Sequence, residues 1–263
     1  MKARRAKAIF LGAVLAIACW VLVGQRAADP EITGNVTLKG TPPAEIPIQL
    51  DPVSARIYPK GLATRHYVVA PDGGLANAVV YIKEGLSSRS FPPSKNRARM
   101  EFRRCQIEPY VIGVRTNQPV EFRNMDSFVH NVHFTPKAQG NREFNAALIP
   151  PNRDLRGWVR DLFSRRWPWR GQTLSKSFPA PEVFVRLKCD VHPWEFGYIN
   201  VMEHPYFAVT DKKGKFRFPA GLPAGKYLLE ARHLKAGAIT HVISIAKGEK
   251  TNVSFTLEVP PRP

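Results

Sequence analysis

Apolar and polar residues alternate along Ile32-Thr33-Gly34-Asn35-Val36-Thr37-Leu38. A period of two sends every second side chain to one face and predicts a half-buried strand. Ala78-Val79-Val80-Tyr81-Ile82 follows the turn Pro71-Asp72-Gly73-Gly74 and has the β-branched density of another. Tyr110-Val111-Ile112-Gly113-Val114 and Val120-Glu121-Phe122-Arg123 flank Thr116-Asn117-Gln118-Pro119, which predicts a hairpin-like connection. Beyond His204, Phe207-Ala208-Val209-Thr210 and Phe216-Arg217-Phe218 flank Asp211-Lys212-Lys213-Gly214 and predict a second hairpin. The turn Leu222-Pro223-Ala224-Gly225 then leads to strands over 227–231, 240–245 and 253–259. No stretch after Asp29 sustains a helical period with caps, so the class is all-β.

Two segments break this pattern. Residues 1–7 are basic and 9–24 form an apolar run without charge, the layout of an export signal. Arg26-Ala27-Ala28 before Asp29 is a poor cleavage site, and Ala16-Ile17-Ala18-Cys19 resembles a lipoprotein box only faintly. Residues 1–28 are thus a signal peptide or an N-terminal membrane anchor. The expected location is the periplasm or cell envelope. The second segment, 150–177, holds Arg153, Arg156, Arg160, Arg165, Arg166 and Arg170 with Trp158, Trp167 and Trp169. Leu155, Val159 and Leu162 lie at helical spacing within 154–166. This insertion is either a lid packed on a sheet or a docking surface for an acidic partner or lipid headgroups.

A chain of 263 residues with 44% hydrophobic and 23% charged residues suits two modules and excludes disorder. The net charge of +18 raises nucleic acid as a partner, but the cations are scattered and the chain is expected to be exported, so none is assigned. No G-x-S-x-G, H-E-x-x-H or phosphate-loop motif is present, and no enzymatic activity is expected.

Candidate chemistry lies in His130, Cys189 and His192. Cys189-Asp190-Val191-His192 follows the apolar Val183-Phe184-Val185, and His130 sits in Phe128-Val129-His130-Asn131-Val132. One thiolate with a nearby and a distant imidazole is the His₂Cys set of an electron-transfer copper site. A disulfide between Cys105 and Cys189 is the competing reading for an oxidising compartment. Positions 130 and 133 of a strand face opposite ways, so His130 rather than His133 is the candidate ligand. His66, His204, His233 and His241 have no matching partners in sequence.

At these residues the chain resembles the cupredoxins. Residues 102–124, Val129-His130-Asn131-Val132 and Cys189-Asp190-Val191-His192-Pro193-Trp194 are similar to the plastocyanin-like pattern. Asp211 to Ala231 carries the D-x-x-G-x-F and L-P-x-G-x-Y-x-L-x-A runs of transthyretin-like, carboxypeptidase-regulatory-like modules. The resemblance implies a Greek-key cupredoxin sandwich over 29–202, with an N-terminal β extension, followed by a small transthyretin-like sandwich over 203–259. It assigns His130, Cys189 and His192 as ligands of one copper ion and gives Asn131 the task of bracing the cysteine loop. Where relatives carry an axial Met, this chain has Glu195, which either approaches the metal or turns to solvent; Met202 is the other axial candidate. A carboxylate also admits zinc, as the less favoured metal. The implied function is an exported electron carrier that meets an unidentified redox partner at the loop of His192, Pro193, Trp194 and Phe196. A cell-envelope binding or scaffold protein with a structural metal is the alternative.

Overall fold

The computed structural model describes residues 30–87, 89–151 and 172–261. The expected export segment, and most of the 150–177 insertion with its helix over 154–166, lie outside the described residues. Among the described residues no helix is long and apolar enough to cross a membrane.

The elements are, in chain order, β1 (Glu31–Lys39), α1 (Pro52–Ile57), β2 (Val79–Glu84), β3 (Ala98–Arg103), β4 (Gln106–Glu108), β5 (Val111–Arg115), β6 (Val120–Asn124) and β7 (His130–Thr135). There follow β8 (Phe144–Leu148), β9 (Thr173–Lys176), β10 (Glu182–Lys188), β11 (Phe196–Met202), β12 (Phe207–Val209), β13 (Lys215–Arg217), β14 (Gly225–His233), β15 (Gly237–Ile245) and β16 (Lys250–Glu258). They form four sheets in the orders β13-β1-β16, β12-β2-β14-β15, β5-β11-β10-β7-β8 and β4-β3-β6-β9. The expected all-β class holds.

The sheets stack as two sandwiches, each around its own core. In one, Ile32, Val36 and Leu38 of β1 meet Val80 and Ile82 of β2, Leu229 and Ala231 of β14 and Phe255 of β16. In the other, Met100, Phe102, Phe122, Val132, Phe134, Leu187, Cys189 and Ile199 share a core. The strict alternation of β1 between buried and partly exposed positions is the period of two read from its sequence.

The expected boundaries at 29–202 and 203–259 do not follow these sheets. β1 runs parallel to β16 over nine residue pairs, from Glu31 with Lys250 to Lys39 with Glu258. β2 pairs with both β12 and β14. The N-terminal strands therefore complete the C-terminal sandwich, and the metal-site sandwich is inserted between β2 and β12. Parallel partners more than 200 residues apart leave no local trace in either strand. Gly34 shows how tightly they fit: a Cβ there would lie 1.9 Å from the Val253 carbonyl oxygen and 2.7 Å from the Phe216 ring.

Both expected hairpins are likewise corners between sheets. β5 pairs with β11 whereas β6 pairs with β3 and β9. β12 pairs with β2 whereas β13 pairs with β1. The turn residues were legible, but a turn does not specify whether the chain returns along the same sheet or crosses to the facing one.

The sandwiches meet along Tyr110, Val111 and Tyr198, with Phe184, Phe196, Val209 and Leu234 packed against them. Gly113 makes room for the Phe207 ring, which a Cβ would approach to 2.6 Å. The connection from β1 to β2 also reaches the inserted sandwich through α1. Asp51 caps that helix by accepting from the Val53 N–H at 2.7 Å and the Ser54 N–H at 3.1 Å. The buried Ser54 hydroxyl lies 3.1 Å from Cys105 Sγ.

A fragment of residues 203–261 lacks β1 and β2 and leaves half of its core open. It is expected to show no cooperative thermal transition by circular dichroism, whereas joining residues 30–87 to it through a flexible linker restores one. Cooperative unfolding of 203–261 alone would refute the split sandwich.

Candidate metal centre

The site begins with strand register. β7 pairs antiparallel with β10, placing His133 opposite Lys188 and Phe134 opposite Leu187. Continued by one turn of chain, this alignment lays His130, the first residue of β7, beside the loop that leaves β10. The loop spans 189–195 and is closed by its own backbone: Cys189 N–H donates to the Glu195 carbonyl at 3.0 Å and Glu195 N–H to the His192 carbonyl at 2.8 Å. Three side chains of one short loop are thereby turned toward one imidazole of the adjoining strand.

His130, Cys189, His192 and Glu195 each offer a donor atom, and these atoms lie within 4.8 Å of one another. Cys189 Sγ is 3.8 Å from His130 Nδ1 and 3.7 Å from His192 Nδ1, and the two Nδ1 atoms are 3.2 Å apart. Glu195 Oε2 lies 2.9 Å from His130 Nδ1, and Oε1 lies 3.5 Å from His192 Nδ1. All four residues are buried, His192 being the most exposed at 8%. Phe102 and Phe128 pack on His130, and Phe128 and Trp194 on His192.

The donor set fits a metal cation on two counts. Among the described residues, neither oxygen of the buried Glu195 carboxylate has a well-aligned hydrogen-bond donor, and its charged neighbours are the imidazoles of His130 and His192. A buried carboxylate so poorly hydrogen-bonded is costly and is stabilised by a cation among its neighbours. The electrostatics of the group point the same way. Burial, the largest influence, pushes the His130 imidazolium down, yet the hydrogen bond to Asp126, the contact with Cys189 and the adjacent Glu195 charge together raise it to about 11. Burial pushes the Cys189 thiol up, while His130 and His192 more than offset this and bring it down to about 7. The pocket thus favours positive charge and a thiolate.

The sequence-derived candidates divide clearly. His130, Cys189, His192 and Glu195 come together. Glu195 does not turn to solvent: its side chain is 0% exposed. A cavity of about 10 Å³ beside it is lined by Ile48, Leu62 and Arg65 of the β1–β2 connection and by Tyr110 and Trp194, among others. That is space for about one water. Met202 ends β11, about 20 Å along the strand from the loop, and pairs with Arg115. His133 faces outward, 2.6 Å from Asp190 and 2.9 Å from Glu143. Asn131 ties β7 to the cysteine loop, its Oδ1 accepting the Asp190 N–H at 2.5 Å and its Nδ2 donating to Asp190 Oδ2 at 3.0 Å. Cys105 and Cys189 are both free, so the disulfide reading fails.

Sequence reasoning missed Asp126, whose Oδ2 lies 3.1 Å from His130 Nε2. It also missed the contribution of residues 45–66, which roof the Glu195 side. Neither carries a local motif.

The sequence matches no protein-family model and no curated protein. Among solved structures, it is similar to the M98A mutant of amicyanin in its Cu(I) form, at 16% identity over 46% of this chain and 97% of that one, with a TM-score of 0.30. A purple cupredoxin from Nitrosopumilus maritimus matches at 17% identity over 40% of this chain and 98% of that one, TM-score 0.28. A copper-containing nitrite reductase from Thermus scotoductus SA-01 matches at 18% identity over 46% of this chain and 25% of that one, TM-score 0.31. These likenesses are partial, and the site assignment rests on its own geometry.

The two cysteines should titrate far apart in the metal-free protein. Burial raises the Cys105 thiol to about 11, against about 7 for Cys189. A thiolate absorbance step at 240 nm near pH 7 is therefore expected, which Cys189→Ser abolishes and Cys105→Ser leaves. A step that follows Cys105 would reverse the assignment.

Proposed function

We propose that the inserted sandwich is a cupredoxin domain and that the protein is an exported mononuclear copper protein carrying single electrons. The observation that carries this reading is the buried group of one thiolate, two Nδ1 imidazoles and one carboxylate, with all donor atoms within 4.8 Å. In it, His130, Cys189 and His192 hold the metal, and Glu195 is the fourth donor on the side roofed by residues 45–66. Bound there, copper supplies one-electron chemistry through its thiolate bond. The chain contributes rigidity. The 189–195 loop is clamped by its own backbone, by Asn131 and by the β10–β11 pairing, so its donors keep their positions while charge changes.

The route for exchange is the rim around His192. Val129 and Val191 are 41% and 54% exposed, and Ile149, next to the strand partner of His130, is 49% exposed. An apolar rim over a single partly exposed imidazole suits a transient redox partner, whose interface is typically small. We assign a carrier rather than an enzyme on the character of the donor group, one thiolate with two imidazoles. The basic start and apolar run of residues 1–28 support a location in the periplasm or cell envelope, cleaved or anchored. Membrane contact through the 150–177 insertion is part of the same proposal; nucleic acid is not.

One observation favours a second reading. Glu195 makes the donor set harder than a His₂Cys set alone, and zinc accepts Cys, His and carboxylate together. In that case the metal would be structural and the protein a cell-envelope scaffold.

The copper-loaded protein decides between them. It is expected to bind about one equivalent of Cu(II) with an intense visible thiolate band that Cys189→Ser abolishes and His133→Ala preserves. No band in the loaded protein, or a band that survives Cys189→Ser, would overturn the copper-carrier reading. Glu195→Met replaces a hard donor by a soft one, so the reduction potential should rise by at least tens of millivolts, a tenfold change in relative affinity being about 59 mV for one electron. An unchanged potential and spectrum would remove Glu195 from the metal.

A further inference from the structure

Behind His130 lies a second carboxylate, that of Asp126. Asp126 is 9% exposed and uses both oxygens: Oδ1 accepts the Arg104 N–H at 2.6 Å, and Oδ2 accepts the Cys105 N–H at 2.9 Å. Oδ2 also lies 3.1 Å from Nε2 of His130, whose side chain is 0% exposed. An ionised carboxylate only accepts, so the contact with Asp126 keeps a proton on Nε2 of His130. A metal cation in the group takes the place of the Nδ1 proton, whose lone pair then faces Cys189, His192 and Glu195. The acceptor is itself fixed. Arg104 and Cys105 both stand at positive φ, 52° and 54°, in the turn between β3 and β4 that presents their N–H groups to one carboxylate. Among the described residues, the ion pairs of Asp126 and Glu195 are with imidazoles alone.

We infer that Asp126 is the positioning residue of the metal centre, orienting His130 so that Nδ1 is the donor and biasing the site toward divalent over monovalent ions. The inference rests on the metal-binding reading above and extends it to selectivity. Counting charge, the Cys189 thiolate and Glu195 belong to the donor group and Asp126 stands across the His130 ring from it, three negative groups around one cation. A dication leaves one unit of negative charge uncompensated in the core, and a monocation leaves two. Burial weakens screening by solvent and salt, so the difference is felt more strongly than it would be at the surface. A carboxylate on the far ring nitrogen also makes the imidazole a stronger donor, and loss of such a partner typically weakens metal binding 10–100-fold. The consequence is a copper centre with a depressed reduction potential and with affinity for zinc.

The test uses the full chain and three readouts. In D126N, zinc affinity by chelator competition should fall about 10–100-fold. The ratio of Cu(I) to Cu(II) affinities should rise about tenfold, which is a rise in potential of about 59 mV for one electron. The visible band should persist, since the thiolate is untouched. Unchanged zinc affinity and unchanged potential in a folded D126N protein would overturn the inference. Because the substitution also disturbs the Arg104–Cys105 turn, the unaltered protein supplies an independent reading. Nitrogen-15 spectra of its zinc-loaded form should show His130 protonated at Nε2 and metal-bound at Nδ1. A ring protonated at Nδ1, or a chain that binds no zinc, would refute the role of Asp126. A missing visible band on copper loading, with the zinc and ring results as expected, would instead sink only the electron-carrier reading.

Discussion

The register between β7 and β10 is the constraint on which the site depends. With His133 opposite Lys188, the start of β7 lies beside the 189–195 loop, and the imidazole of His130 closes a group that the loop alone leaves open. A slip of one residue would send His130 to the outer face and bring His133 inward. Outward-facing partners oppose that slip. His133 is held by Asp190 and Glu143, and Lys188 lies 2.8 Å from Asp190. The hydrogen bond from Lys188, followed by that from His133, holds the Asp190 carboxyl well below the usual carboxylate range. Asn131 and Asn145 donate to the same Asp190 oxygen. The inner face therefore carries the donors, and the outer face carries the polar lock that keeps them there.

Burying this donor group costs free energy in the metal-free protein. A carboxylate and a thiolate in an apolar core each cost about several kcal/mol before compensation. The fold supplies that compensation from outside the group. The core of Phe102, Phe122, Phe134 and Leu187 packs beneath it. The β1–β2 connection packs beside it, lining the Glu195 side with Ile48 and Leu62 and anchoring through Ser54 at Cys105. The two sandwiches are thus joined at the site itself. The strand pair that completes the outer sandwich is continuous with the segment that keeps water off the inner one.

Two carboxylates flank one imidazole in this arrangement, Glu195 at Nδ1 and Asp126 at Nε2. Charge at such close range sets which oxidation state and which metal the core tolerates. The exposed apolar rim of Val129, Ile149 and Val191 is a separate feature and governs access. Selectivity comes from what is buried, exchange from what is not.

By itself the sequence determined the all-β class, most of the strands, and His130, Cys189 and His192 as candidate donors; it left Glu195 between metal and solvent, and the tertiary structure buried it with the other three. Alternation marks a strand wherever one face is buried, and close spacing within a loop keeps Cys189, His192 and Glu195 together whatever the global topology. The opposite facing of His130 and His133 followed from the same period of two. Only the tertiary structure decided that β1 pairs with β16, that the two turns at 116–119 and 211–214 cross between sheets, and that the domains are nested rather than successive. It alone placed Asp126 behind His130 and residues 45–66 over Glu195. These are contacts between segments distant in sequence or on different strand ends, and they depend on where whole sheets stack. A side chain carries its chemistry in the sequence, but its partner across a sandwich is chosen only when the layers close.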